Sequence, residues 1–216
     1  MEIKLQVDSL TDQAYDILKQ KIISKQFPPG MRLVDSQLAK EYGISRTPLR
    51  DAIRKLHEDG LVTNYSGRGY CVFQPTEDDI NEIFEIRRMI DVAAATKLIN
   101  EILPNDKEAY ATIESFYNEF SADVEREGFI KADEDFHDKM VLMMGNARIY
   151  NFYVEIRNQT RTFRRRTSSD KERMARAYNH HEKICRGLLD LDLNAATEAL
   201  TDHIELSRRN ALEDLE

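Results

Sequence analysis

Ile44-Ser45-Arg46-Thr47-Pro48-Leu49-Arg50-Asp51-Ala52-Ile53-Arg54-Lys55-Leu56 is a stretch with two unlike sides. Leu49, Ala52, Ile53 and Leu56 recur at i, i+3, i+4 and i+7, the spacing of one helical face, while Arg46, Thr47, Arg50 and Arg54 fall on the remaining arc. Ser45 is suited to cap the N-terminus, its hydroxyl taking one of the orphaned backbone N–H groups. Pro48 falls in the first turn, where a missing N–H costs little. Gly60 supplies the stop. The pattern predicts a short helix, apolar on one side and basic on the other. By itself that is equally the solvated face of an ordinary amphipathic helix or a surface shaped to lie on DNA.

The neighbouring residues decide between them. Upstream, Val34-Asp35-Ser36-Gln37-Leu38-Ala39-Lys40-Glu41-Tyr42 reads as a second short helix, with Leu38 and Ala39 inward, and Gly43-Ile44 makes the tight turn of a helix-turn-helix. Downstream, Leu61-Val62-Thr63 and Tyr70-Cys71-Val72-Phe73 are β-prone runs separated by Asn64-Tyr65-Ser66-Gly67-Arg68-Gly69, a hairpin or wing. Before both, Ser9-Leu10-Thr11-Asp12 offers a cap for a first helix. The spacing of Ala14, Ile17, Leu18, Ile22 and Ile23 in that helix buries one side against the basic helix, and Pro28-Pro29-Gly30 ends the run.

Residues 9 to 75 resemble the winged helix-turn-helix of the GntR family of bacterial transcription regulators. The match rests on Gln13-Ala14-Tyr15, Phe27-Pro28-Pro29-Gly30-Met31-Arg32-Leu33, Leu38-Ala39, the run from Gly43 to Leu56, Gly60-Leu61-Val62 and Arg68-Gly69. The resemblance implies that the recognition helix, the helix before it and the wing contact DNA. Carried over position by position, Arg46 and Arg50 are base-edge or phosphate readers, since a guanidinium addresses guanine with two hydrogen bonds. Ser45 and Thr47 suit phosphate oxygens, together with backbone N–H groups at the helix start. Ser36 stands where a well-known member has arginine, so one strong contact is absent. Gly67, Arg68 and Gly69 would let the wing approach the minor groove.

The chain has 216 residues, 41% of them hydrophobic, enough for two ordinary domains. Its net charge of −8 is unevenly placed. Residues 1 to 75 carry 11 Lys+Arg against 9 Asp+Glu, and the remainder carries 20 against 30. The acid belongs to the second half, which should turn away from phosphate. Cys71 and Cys185 have neither a CxxC spacing nor a disulfide framework and read as reduced and structural. No signal sequence is recognisable at Met1 to Asp8, and no stretch approaches the ~20 apolar residues of a membrane span, so a cytoplasmic protein without membrane partners is expected. Gln74-Pro75 closes the wing and Thr76-Glu77-Asp78-Asp79 opens a helix, which places the domain boundary at Pro75/Thr76.

Beyond that boundary helical periodicity recurs between breaks. It predicts six helices, at 77 to 103, 106 to 126, 129 to 144, 147 to 167, 171 to 189 and 193 to 213, packed as an antiparallel bundle over 76 to 216. The fold class is thus mainly α: an N-terminal winged helix-turn-helix with a small β-hairpin, then an all-helical C-terminal bundle. Four of the five histidines lie in the second half. Asp133 and His137 share a helix face at i and i+4, beside Met140, Leu142 and Met143 on the buried side, while His181 and His203 sit near apolar positions of the last two helices. Three helices could therefore aim one aspartate and three histidines at one interior point, a sound site for Zn²⁺, Ni²⁺, Mn²⁺ or Fe²⁺. Read from spacing alone, these are equally independent core or surface histidines.

Asp133-x-x-Phe136-His137, Gly145-Asn146, His181-x-x-Ile184 and Asp202-His203-Ile204 resemble the pattern of the FCD ligand-binding domain of the FadR branch, over residues 77 to 213 and closer to its six-helix VanR-type variant. The resemblance implies that Asp133, His137, His181 and His203 bind a divalent transition metal, zinc being expected as purified. His180 stands where the pattern has glutamate; it reads as exposed, or as an alternative ligand to its neighbour. The resemblance also implies a small carboxylate effector. Glu85-Ile86-Arg87-Arg88-Met89-Ile90-Asp91 matches the first-helix motif whose arginine, here Arg87, points into the cavity. Arg161, with Arg157, Arg164 and Arg165 at helical spacing, could clamp an anion or simply form a solvated basic face.

The function expected is a ligand-responsive transcription regulator, a repressor, binding a palindromic operator as a homodimer, because one short recognition helix reads too few base pairs alone. The other readings are a metal-dependent enzyme acting on a small carboxylate, and a regulator whose metal is purely structural.

Overall fold

The computed structural model describes residues 9–121, 126–163 and 171–215. They belong to two units, Met1–Thr76 with Glu155–Arg164, and Glu77–Val154 with Arg165–Glu216.

Three helices open the first unit: α1 (Leu10–Ile23), α2 (Asp35–Tyr42) and α3 (Arg46–Glu58). α1 starts where Ser9 Oγ accepts the Asp12 N–H at 3.2 Å. α2 stops at Gly43, whose φ of 67° turns the following N–H, that of Ile44, back to the Ala39 carbonyl at 3.1 Å. Ser45 has the extended backbone of a cap, but its hydroxyl makes no capping bond, contrary to the sequence expectation. The reason is local: Pro48 is the third helical residue, so one of the N–H groups such a cap can take does not exist.

The apolar stripe of α3 is fully inside, with Leu49, Ala52 and Leu56 at 0% exposure. It packs with Ala14, Leu18 and Ile22 of α1. Ile17 and Ile23 do not join them as predicted: Ile17 is 43% exposed and Ile23 half-buried. Burial follows the i, i+4 line through 14, 18 and 22, from which Ile17 is turned by about 100° relative to Leu18. Strands β1 (Val62–Tyr65) and β2 (Gly69–Val72) pair antiparallel from Val62↔Val72 to Tyr65↔Gly69. Asn64 and Tyr65, read as turn residues, thus lengthen the first strand, leaving Ser66-Gly67-Arg68 as the loop. The second edge of β2 is also used: Val72 N donates to Met31 O at 2.8 Å and Leu33 N to Tyr70 O at 2.9 Å. These bonds tie the turn before α2 to the wing.

The second unit is helical: α4 (Glu77–Lys97) running on through one π turn at Leu98–Ile102, α5 (Lys107–Ser121), α6 (Arg126–Met143), α7 (Ala147–Phe163), α8 (Lys171–Leu189) and α9 (Leu193–Glu213). Glu77, Asp78 and Asp79 occupy the first turn of α4, where the helix dipole favours them. α9 starts at Asp192, whose side chain accepts the Ala195 N–H at 3.0 Å. The predicted break at Gly128 is absent, and α6 runs through it; a mid-helix glycine costs only about 1 kcal/mol against alanine. Leu142, expected inside, is 46% exposed, because the buried face of α6 runs through Phe136, Met140 and Val141. The predicted helix end at 126 is not found, because Arg126 already belongs to α6; the predicted end at 167 lies outside the described residues, as do 122–125 and the rest of 164–170.

Packing of α4 on α6 and α9, α5 on α6 and α8, and α8 on α9 builds the core of this unit. α8 and α9 meet backbone to backbone at Gly187, where an added Cβ would fall 2.7 Å from Ala196 N and 2.8 Å from its Cα. That approach sets the spacing of the two helices that carry His181 and His203. The later part of α7 belongs to the first unit, where the buried Asn158 donates through Nδ2 to the Asp59 carbonyl at 3.2 Å. No local sequence pattern announces that pairing.

Leu49→Ala should lower the unfolding free energy by about 2–5 kcal/mol, since the vacated volume is walled by α1 and α3 and cannot collapse fully. Denaturant titration with an unchanged m-value would establish this; a loss within experimental error would mean the stripe is not the core of the unit.

Candidate functional site

Asp133 and His137 come from α6, His181 from α8 and His203 from α9. One ligand atom from each lies within 4.8 Å of all the others. All four residues are at most 2% exposed. Asp133 Oδ1 stands 2.9 Å from His181 Nε2, 3.6 Å from His203 Nε2 and 3.8 Å from His137 Nε2, and the Nε2 atoms of His137 and His203 are 3.2 Å apart. His181 Nδ1 lies 2.8 Å from the Ala177 carbonyl, which can only accept, so a neutral ring donates from Nδ1 and offers the Nε2 lone pair to a cation. A carboxylate oxygen and three imidazole nitrogens converging at these separations fit a cation with bonds of roughly 2.0–2.2 Å. Phe120 and Phe136 ring the cluster, at 4.4 and 5.8 Å between centroids from His181.

The electrostatics keep the donors ready. Burial pushes the His137 imidazole below its ordinary value; Asp91 opposes this, and Arg87 adds to it. His203 is pushed well below, by burial and then by His181 and His137 beside it. Both rings are therefore neutral at neutral pH, the state a metal ligand needs.

Arg87, 8% exposed, lies on α4 with Nη2 3.7 Å from Asp91 Oδ2. Its burial works against the charge, but Tyr153, Asp91 and Asp133 outweigh it and raise its pKa further. Arg161 belongs to the first unit, near Lys19. His180 is half-buried rather than exposed, with its ring 6.3 Å from that of His203, and it is not among the four converging residues. Sequence reasoning missed Tyr153 and the role of Asp91. Tyr153 has no sequence signal, whereas Asp91 falls one turn after Arg87, on the same helix face.

On the first unit, Ser36, Ser45, Arg46, Thr47 and Arg50 are exposed along α2 and the start of α3. Gly67 and Arg68 are exposed in the hairpin loop and Gly69 is half-buried, both glycines having positive φ. Asp35 was not singled out from the sequence. Its carboxylate accepts from Arg46 Nη2 at 2.9 and 3.2 Å and lies 3.7 Å from Arg50 Nε, holding two exposed guanidinium groups side by side. Arg46 holds the Asp35 carboxyl below its usual range.

A winged helix-turn-helix joined to a helical unit with a buried Asp/His₃ cluster defines a class of transcriptional regulator. The chain matches the profile "Bacterial regulatory proteins, gntR family" over residues 10–72 and "FCD domain" over residues 82–206. It belongs to the GntR family and carries an FCD domain. It is 27% identical over 195 residues to the HTH-type transcriptional regulator YdhC of Bacillus subtilis strain 168, covering 88% of this chain and 86% of that one. It is 26% identical over 196 residues to a protein of Paenarthrobacter nicotinovorans named as a D-xylose utilization operon transcriptional repressor, covering 91% and 86%. A GntR transcriptional regulator structure from Rhodococcus sp. RHA1 superposes with a TM-score of 0.73 at 25% identity, covering 95% of this chain and 99% of that chain. These relatives are transcriptional regulators, not enzymes. Among the described residues no helix is long and apolar enough to cross a membrane.

In chelator, stability should fall as the pH drops below about 6.5, because the unfolded chain then takes up protons that the buried, neutral His137 and His203 refuse. Thermal unfolding of the metal-stripped protein between about pH 8 and 5 tests this; a flat profile would mean that these rings are solvated.

Proposed function

We propose that the protein is a cytoplasmic, ligand-responsive repressor that binds a palindromic operator as a homodimer. In this reading Asp133, His137, His181 and His203 hold a divalent transition metal, zinc as purified, with nickel, manganese and iron able to replace it. The observation that carries it is the combination, in one GntR-family chain, of an exposed basic recognition helix with a buried, convergent Asp/His₃ cluster beside Arg87.

Arg46 and Arg50 read base edges or phosphates, Ser36, Ser45 and Thr47 bind phosphate oxygens, and Gly67, Arg68 and Gly69 bring the wing to the minor groove. Asp35 keeps the two arginines extended until the bases replace it. A small carboxylate reaches the metal, and its negative charge is met by Arg87. Arg161 is the second candidate to meet that charge. Effector and operator prefer different arrangements of the dimer, so each changes the affinity of the other by the same factor. The relative named as a repressor supports the sign of regulation.

Arg50→Ala should weaken operator binding by about 10- to 100-fold at fixed salt, with the melting temperature unchanged. Log affinity of the wild type should fall linearly with log salt concentration. Fluorescence anisotropy on an operator duplex reads both, and an affinity that ignores salt would remove DNA as the partner.

His181→Ala should lose the bound metal seen in the wild type by elemental analysis, and with it any chelator-sensitive rise in melting temperature caused by small carboxylates. A full metal equivalent in this variant would transfer the ligand role to His180. Metal without carboxylate stabilisation in the wild type would leave a structural ion.

A further inference from the structure

Asp91 is fully buried on α4, one turn after Arg87. Its Oδ2 is 3.7 Å from Arg87 Nη2 and closer, 3.1 Å, to Nδ1 of His137. A buried carboxylate needs positive or donating partners; the Tyr153 hydroxyl is one such neighbour, and Arg87 meets it only at long range. The neutral imidazole of His137 has one proton to place. On Nε2 it would point toward His203 Nε2, 3.2 Å away, and leave the Nδ1 lone pair facing the carboxylate. On Nδ1 it is donated to Asp91, and the Nε2 lone pair is left aimed at the space shared by Asp133, His181 and His203.

We infer that Asp91 is the positioning residue of the metal centre: it accepts the Nδ1 proton of His137, fixes the tautomer whose Nε2 can ligate, and links that ligand to Arg87. Histidine ligands elsewhere depend on such outer carboxylates, whose loss typically costs 10–100-fold in metal affinity. The inference rests on the metal-binding reading of the cluster and adds a residue outside the ligand set. The Ala177 carbonyl plays the corresponding part for His181, so two of the three rings are oriented from behind.

The link to Arg87 has a consequence for the effector. Asp91 is shared by the side chain that ligates the metal and the side chain that would meet an incoming anion. An anion that draws Arg87 away leaves the Asp91 charge to His137 and Tyr153, which strengthens the hydrogen bond from His137 Nδ1. Metal and carboxylate should therefore each tighten the binding of the other, through Asp91 as well as by direct contact.

The test is the metal affinity of the folded full-length protein, measured by competition with a chromophoric chelator for Zn²⁺ and by the visible spectrum of Co²⁺. Asp91→Asn, which can donate where the carboxylate only accepts, should weaken Zn²⁺ by about 10- to 100-fold and alter the Co²⁺ bands. Asp91→Glu should recover most of the affinity. Wild-type affinity in Asp91→Asn, with only a lower melting temperature in chelator, would reduce Asp91 to a counter-ion of Arg87 and overturn the inference.

A second readout needs no Asp91 variant. Long-range ¹H–¹⁵N correlation spectra of the Zn²⁺-loaded wild type, with His137 assigned by its absence in His137→Gln, should show the proton on Nδ1. A proton on Nε2 would overturn the inference even if the Asp91 variants fail to fold. A wild type that binds neither Zn²⁺ nor Co²⁺ would instead overturn the metal reading on which it rests.

Discussion

The second unit turns on the cost of hiding one carboxylate and three imidazoles in a space under 4.8 Å across. Removed from water, such groups must find partners within the protein or in a bound cation, because unpaired burial costs each of them about 1–3 kcal/mol or more. Phe120 and Phe136 keep the surroundings apolar, and burial holds His137 and His203 neutral. A site so prepared needs little reorganisation to receive a cation. The close approach of α8 and α9, with Gly187 against the backbone of Ala196, serves the same convergence.

The first unit obeys the opposite constraint, since its working surface must stay wet. All the apolar surface of α3 is spent on one stripe, Leu49, Ala52, Ile53 and Leu56, and this frees the other arc for arginine. Asp35 then organises that arc from the neighbouring helix, an arrangement that leaves Arg46 and Arg50 exposed but not splayed. The turn before α2 pairs with β2, so the helix-turn-helix and the wing are one hydrogen-bonded piece. Family membership gives these surfaces their meaning, and the exposed arginines are the physical means by which a GntR headpiece meets a polyanion.

Much of this was legible in the residues because the signals are local. The period of α3, the cap at Ser9, the glycine at 43 and the two β-prone runs each depend on neighbours a few positions apart. Where local signals misled, a nearby residue was responsible. Pro48 removed one of the N–H groups that Ser45 could cap, and the buried face of α1 is narrower than expected, keeping Ala14, Leu18 and Ile22 but leaving Ile17 exposed. The helix of α6 ran through Gly128 because a single glycine weakens a helix without ending it.

By itself the sequence determined the order of elements and the basic arc of α3, because periodicity and capping act over one or two turns, while Asp133, His137, His181 and His203 stood out as candidates through their resemblance to the FCD pattern. Only the tertiary structure decided that His181, and not His180, faces the other three, and that Arg161 keeps company with the first unit. It also placed Asp91 behind His137 and the later part of α7 against Asp59. Those are contacts between residues far apart along the chain. Their formation depends on how whole helices pack, a question of interlocking volumes and buried charge that no stretch of the sequence contains in isolation.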